Sequence, residues 1–203
     1  MTVQAPPQTK LLVLQIPSDL ALRVTPEQFA ALAAANRDLR LERTATGELI
    51  VTPPTGGTSG RRNLSISAQL GVWYEANDTL GEAFDSSTGF ELPNGANRSP
   101  DASWLQKDRW ESLSPEQQEG FIPLCPDFVV ELRSRRDLLT QLRAKMQEYM
   151  DNGAQLGWLI DPKNKRVEIY RPGQAVEVLD NPSTVSGDFV LPGFVLALKR
   201  IWM

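Results

Sequence analysis

The chain predicts a single α/β (α+β) domain, a mixed β-sheet flanked by helices, on three observations. Short apolar runs of period two, "DFVVELR" at 127–133 foremost, are interspersed with segments of helical period. Turn formers, Asn94-Gly95 above all, separate the runs. The 203 residues suit one domain with a sizeable core, and 41% hydrophobic with 23% charged residues is an ordinary globular balance. Strands and helices mixed in this way pack as a sheet with helices on its faces.

Residues 1–18 read as an N-terminal arm, polar and Pro-rich enough at 1–10 to predict disorder, with LLVLQIP (11–17) as a short strand or packed arm; 19–203 form the domain. In "TPEQFAALAAAN" Thr25 can cap, Pro26 fits the first helical position and Gln28 completes a capping box, which predicts a helix of about three turns. "RLERTATGELIVTPP" predicts two short strands around a turn ending at Gly47. "TGGTSGRRN" predicts a flexible loop leading into a helix from Arg61 to Asn77, with Leu64, Ala68, Gly71, Val72 and Glu75 on or near its apolar stripe. Residues 81–105 predict strands separated by turns, and "QKDRWESLSPEQQEG" a polar segment with a short helical turn. "PDFVVEL" is the clearest strand. After it, Leu138, Leu139, Leu142, Met146, Tyr149 and Met150 repeat at helical spacing until Asn152-Gly153 stops the helix. "LGWLID", "RVEIYRP" and "AVEVLD" predict three further strands.

Two absences narrow the chemistry. The chain has no histidine and one cysteine, Cys125, which excludes Ser-His-Asp and Cys-His catalysis, the usual Cys/His zinc sites and an internal disulfide. Cys125 reads as a small core residue. Catalysis must then use carboxylates, lysine, tyrosine, hydroxyls or a hard metal ion. A net charge of −4 gives no overall attraction to nucleic acid, so such binding needs a local patch. No apolar run approaches the roughly 20 residues that span a bilayer, and the start lacks a secretory pattern, which makes the cytoplasm the expected compartment.

Glu131 stands in the middle of a run that otherwise reads as a buried strand, and a buried carboxylate needs a cation or a metal beside it. Alternation puts Asp127, Val129, Glu131 and Arg133 on one side of that strand and Phe128, Val130 and Leu132 on the other. In "SPDASWL" it groups Ser99, Asp101 and Ser103. If the two strands are neighbours, Asp101 and Glu131 converge, and two acids are enough for Mg²⁺ with water and phosphate oxygens. On the following helix Lys145 borders the apolar stripe, from where its amine could reach Glu131 and orient or deprotonate a water, or neutralise charge on a phosphate. A salt bridge from Glu131 to Arg133 or Arg135 is the structural alternative.

"SPDASWL", then "DFVVELRS" and a helix with "KMQEY", resembles the PD-(D/E)XK nuclease superfamily and, more closely, the bacterial family of restriction-endonuclease type known as Uma two. "GELIVTPPTGG" and "NGAQLGWLIDPKNKRVEIYRP" fit as well, so the resemblance covers about residues 25–200. It implies a restriction-endonuclease-like mixed sheet, a DNA substrate, a Mg²⁺ or Mn²⁺ cofactor held by Asp101 and Glu131, a catalytic lysine and a homodimer. One position departs from the superfamily: acid-x-lysine is replaced by Glu131-Leu132-Arg133, and arginine cannot act as a base. The resemblance to this family implies that the lysine is supplied from the following helix, where Lys145 stands. Glu48 is a further candidate carboxylate, and Asn63 a polar residue facing the site or a helix cap. Arg133, Arg135, Arg136, Arg143 and Lys145, with Arg61 and Arg62 from the Gly-rich loop, form a candidate basic patch for phosphate contacts. The rival readings are a catalytically inactive nuclease fold that binds nucleic acid or a protein, and a glycosidase using two carboxylates.

Overall fold

A computed structural model describes residues 21–203, so the expectations for 1–10 and for LLVLQIP lie outside the described residues. Helix α1 (Pro26–Ala35) starts as its spacing predicts. The Gln28 N–H donates to the Thr25 hydroxyl at 3.2 Å and the Thr25 N–H to Gln28 Oε1 at 2.9 Å, satisfying two donors that a helix start otherwise leaves orphaned. Strands β1 (Arg40–Arg43) and β2 (Leu49–Thr52) form an antiparallel hairpin. Its turn needs Gly47, which sits at φ 87°, where a Cβ would also meet the Val24 carbonyl oxygen at 3.1 Å.

Helix α2 (Gly57–Glu75) departs from the expectation twice. It begins inside the stretch expected to be a flexible loop, and its core face is Ile66, Leu70 and Trp73, not the stripe through Leu64 and Val72. Leu64 and Val72 stay 69% and 76% exposed. The two stripes lie on opposite sides of the helix, Leu64 and Ile66 being about 200° apart at 100° per residue. The one that carries the Trp73 ring removes more apolar area from water when buried.

The chain continues through β3 (Gly81–Asp85), β4 (Phe90–Glu91), β5 (Asn97–Arg98) and β6 (Ala102–Gln106). Between β4 and β5 the Asn94-Gly95 turn holds Gly95 at φ 81°. The polar segment folds as two short helices, α3 (Lys107–Glu111) and α4 (Pro115–Glu119). Then come β7 (Phe128–Leu132), α5 (Leu139–Asp151), β8 (Leu156–Asp161), β9 (Arg166–Tyr170), β10 (Glu177–Asp180), β11 (Thr184–Ser186), β12 (Val195–Ala197) and α6 (Lys199–Trp202). Leu138 is the residue before α5 and is 59% exposed, so the buried stripe of that helix centres on Met146 and Tyr149.

The strands form a six-stranded sheet of order β10-β9-β8-β7-β6-β3, a four-stranded sheet of order β2-β1-β5-β4 and the β11-β12 hairpin. In the six-stranded sheet β7 and β8 pair in parallel, joined by α5, and the other pairs are antiparallel. One face of it, with Phe128, Val130, Trp104 and Trp158, is covered by α2 and the C-terminal hairpin. The other, with Val129, Leu105 and Leu159, is covered by Met146 and Tyr149 of α5, and Cys125 packs there too. Burial pushes the Cys125 thiol up to about 12, an inert group at neutral pH. Among the described residues no helix is long and apolar enough to cross a membrane.

Candidate active site

The chain passes from the four-stranded sheet into the six-stranded one between β5 and β6, and the candidate site lies at that join. Ala102 pairs with Val130 and Ser103 with Val129. Asp101 stands one residue before β6, and its N–H donates to the Val130 carbonyl at 2.9 Å, one residue off the register that would pair it directly with Glu131. The Asp101 carboxylate still lies close enough to Glu131 to repel its charge.

Helix α5 brings Lys145 to Glu131 and to a third acid, Glu42. Its Nζ lies 2.7 Å from Glu131 Oε1 and 2.8 Å from Glu42 Oε1. Tyr149, one turn further along α5, donates its hydroxyl to Glu131 Oε1 at 3.0 Å. Glu42 comes from β1. It accepts the Ser99 N–H at 2.9 Å and pairs with Arg98 at 3.3 Å, and Arg98 in turn pairs with Glu148 of α5 at 2.6 Å. Asp101 Oδ2 accepts the Leu132 N–H at 2.8 Å, while Oδ1 meets Arg40 at 3.2 Å, whose guanidinium also donates to the Ser99 carbonyl.

Burial and the neighbouring charges together set the protonation of this cluster, and at Glu131 burial prevails. It pushes the Glu131 carboxyl up to about 7, against Lys145 and with Asp101 and Glu42 adding repulsion. Burial also opposes charge on Glu42, but Lys145 and Arg98 outweigh it and hold that carboxyl below its usual range. Lys145 keeps its proton for the same reason: burial works against the ammonium, and Glu131 and Glu42 more than compensate, raising its pKa. Near neutral pH the amine is therefore a fixed cation, which favours its orienting and charge-neutralising roles over that of a base.

The remaining sequence candidates are placed elsewhere. Arg133 pairs with Asp161 at 2.7 Å, not with Glu131, because one residue past β7 it lies beside the end of β8. Arg143 pairs with Glu168. With Lys145 also internally paired, the expected basic patch is reduced at those three positions. Arg135 and Arg136 are exposed and make no ion pair among the described residues. Arg61 donates to the Arg200 carbonyl at 3.3 Å, and the Arg62 Nε is buried without a partner. Asn63 lies inside the first two turns of α2, not at its cap, which is Gly56, and its Oδ1 is likewise buried and unpaired. The Glu48 carboxylate makes no ion pair or hydrogen bond with the site; its backbone bridges Arg23. The acid that the β1-β2 hairpin delivers is Glu42. The one signal for it was that of Glu131, an acid inside a strand-like run.

The donor set fits a small divalent cation. Among the described residues no three His, Cys, Asp or Glu side chains are grouped to hold a metal. Two hard carboxylates completed by water and substrate oxygens suffice for Mg²⁺. Glu131 Oε2 accepts no hydrogen bond from the described residues and is not among the buried atoms left without a partner, so it remains open as a ligand. Asp101 and Glu131 would hold the ion. The cavities of about 410 Å³ beside α5 and about 290 Å³ beside β6 are lined by neither acid.

A mixed sheet flanked by helices, with two neighbouring acids just before β6 and in β7, is consistent with the PD-(D/E)XK nuclease class. The chain belongs to the Uma2 family, described as "putative restriction endonuclease", whose model matches residues 26–199. The fold is shared with a solved structure described as a "putative nuclease belonging to DUF820" from Anabaena variabilis, at 23% identity and a TM-score of 0.72 over 88% of this chain and 97% of that one. No curated protein matches.

Proposed function

We propose that this chain is a Mg²⁺- or Mn²⁺-dependent DNA endonuclease that hydrolyses phosphodiester bonds. The observation that carries the reading is the Asp101 carboxylate held on the Leu132 N–H beside Glu131, with the Lys145 amine 2.7 Å from Glu131. A bound divalent cation would supply Lewis-acid polarisation of the phosphate and a lowered pKa for its water. Asp101 is held for that role by the Leu132 N–H and Glu131 by Tyr149 and Lys145. Lys145, clamped between Glu42 and Glu131, directs a buried positive charge at the place where negative charge grows during in-line attack. Glu42, itself fixed by Arg98 and Ser99, positions that amine. Arg135 and Arg136 are suited to contact the phosphate backbone, which orients a duplex without reading its sequence.

A second reading has its own support: Arg40 on Asp101 and Lys145 on Glu131 and Glu42 compensate the acids without any metal, as an inactive nucleic-acid-binding descendant would need. Incubation of plasmid DNA with the protein and Mn²⁺ separates the two. Cleavage that disappears in Glu131→Ala while circular dichroism stays unchanged supports the nuclease. Binding without cleavage across several divalent ions and DNA forms supports the descendant.

A further inference from the structure

The stripe of α2 that the sequence marks as apolar, and the fold leaves in water, has an internal symmetry. Arg61, Leu64, Ala68, Val72 and Glu75 are all exposed, and at 100° per residue they fall within about 80° of one another. Leu64 and Val72 stand four residues to either side of Ala68, and Arg61 and Glu75 seven to either side. Read backwards, the stripe is its own complement: apolar against apolar, cation against anion. Glu75 makes no ion pair among the described residues, and Arg61 spends one donor on a backbone carbonyl. At the centre the surface is low. Ala68 is small, and beside it Gly71 has open space where a Cβ would stand.

We propose that this face of α2 is the contact with a second copy of the chain, the two helices crossing antiparallel about a two-fold axis at Ala68. In that arrangement Leu64 packs on the partner's Val72 and Arg61 meets the partner's Glu75, each contact occurring twice, as an isologous interface requires. Small residues at the crossing let two helices approach to the short end of the usual 8–10 Å range. An unrelated partner would have no need of a stripe that complements itself. Gln69, beside Ala68, ties α2 to the backbone of Ala197 in β12, accepting its N–H at 2.7 Å and donating to its carbonyl at 3.1 Å, which fixes the helix on the domain. Since α2 and α5 cover opposite faces of the six-stranded sheet, pairing through α2 leaves both candidate active sites open. The inference stands apart from the nuclease reading.

Sedimentation velocity of the full chain over 1–100 µM, roughly the range of a modest interface, tests it. A dimer is expected, and Val72→Glu is expected to leave a monomer with unchanged circular dichroism. Arg61→Glu and Glu75→Arg should each weaken the dimer on the order of tenfold, since two exposed pairs are lost at once. The double variant R61E/E75R should recover most of that loss, which neither misfolding nor general charge effects would produce. Ala68→Cys, at the axis, should form a disulfide-linked dimer on mild oxidation, because Cys125 is buried and does not compete. A chain monomeric at 100 µM overturns the proposal. So does a dimer that Val72→Glu leaves intact, or a double charge swap that behaves no better than the single ones.

Discussion

Glu131 and Glu168 are two buried acids in one row of the same sheet face, and the same helix supplies a cation to each. Glu131 pairs across to Leu159 and Leu159 to Glu168, so one strand separates them. Both are under 5% exposed. Arg143 reaches Glu168 with Nε at 3.0 and 3.1 Å from its two oxygens, and Tyr170 donates its hydroxyl at 2.9 Å. Burial opposes that carboxylate, but Arg143 and Tyr170 outweigh it and hold the pKa below its usual range. Glu131 shares its single amine with Glu42, has Asp101 beside it, and is pushed up instead, to about 7. The difference separates a fully paired structural acid from a candidate cation ligand. A carboxylate whose lone pairs are filled by a forked guanidinium is finished as a structural element, whereas one left short of donors beside other acids retains affinity for a cation.

The sharpest way to break this contrast is a pair of isosteric changes. Glu131→Gln should lower Mn²⁺-dependent cleavage roughly 10³-fold, as loss of a metal ligand and charge partner does. Glu168→Gln, measured in the same plasmid assay, should stay within a few-fold of the parent. Equal losses in both would erase the distinction. Stability should rank them the other way. Glu168→Ala leaves the Tyr170 hydroxyl and the Arg143 fork without their acceptor and should cost about 2 kcal/mol in urea denaturation, Arg143 being exposed enough to recover water. Glu131→Gln should be neutral or stabilising at pH 8, because it removes a carboxylate that burial penalises.

The pH dependence of unfolding without divalent ions sharpens the same comparison. A carboxyl raised from about 4.5 to about 7 takes up a proton on folding, so the contribution of Glu131 is greatest below pH 4.5 and falls as pH rises through 7. Glu168, depressed, contributes fully above pH 4.5 and loses its contribution as pH falls through its folded value. Glu131→Gln should flatten the neutral limb of the stability curve and Glu168→Gln the acid limb; exchanged effects would reverse the assignment. The smallest effect is expected outside the row. Arg135→Ala or Arg136→Ala should reduce the salt dependence of DNA binding by about 0.9 in logarithmic slope, with little change in cleavage at saturating DNA.

Much of this was legible because strand alternation is a local property. Glu131 facing away from Phe128, Val130 and Leu132, Asp101 grouped with Ser103, and the Thr25 capping box all follow from neighbours in the chain. Lys145 was reachable by the same route, as a border position on the α5 stripe. Glu42 and Arg98 were not, because what makes them part of the site is contact across 103 and 50 residues, with Lys145 and Glu148 respectively. The role of Arg133 was misread for a related reason. Its side of β7 was assigned, but which acid stood beside it depended on where β8 ended.

The α2 helix marks the limit most clearly. Its sequence determined that it would be a helix with apolar residues on two sides, as it determined the acids, the strands and the absence of imidazole chemistry. Only the tertiary structure decided that Trp73, Ile66 and Leu70 go inward while Leu64 and Val72 remain in water. Period is set by backbone geometry and can be counted along the chain. Phase and register are set by which face removes the most apolar surface against partners far away in sequence, and those partners meet only when the chain folds.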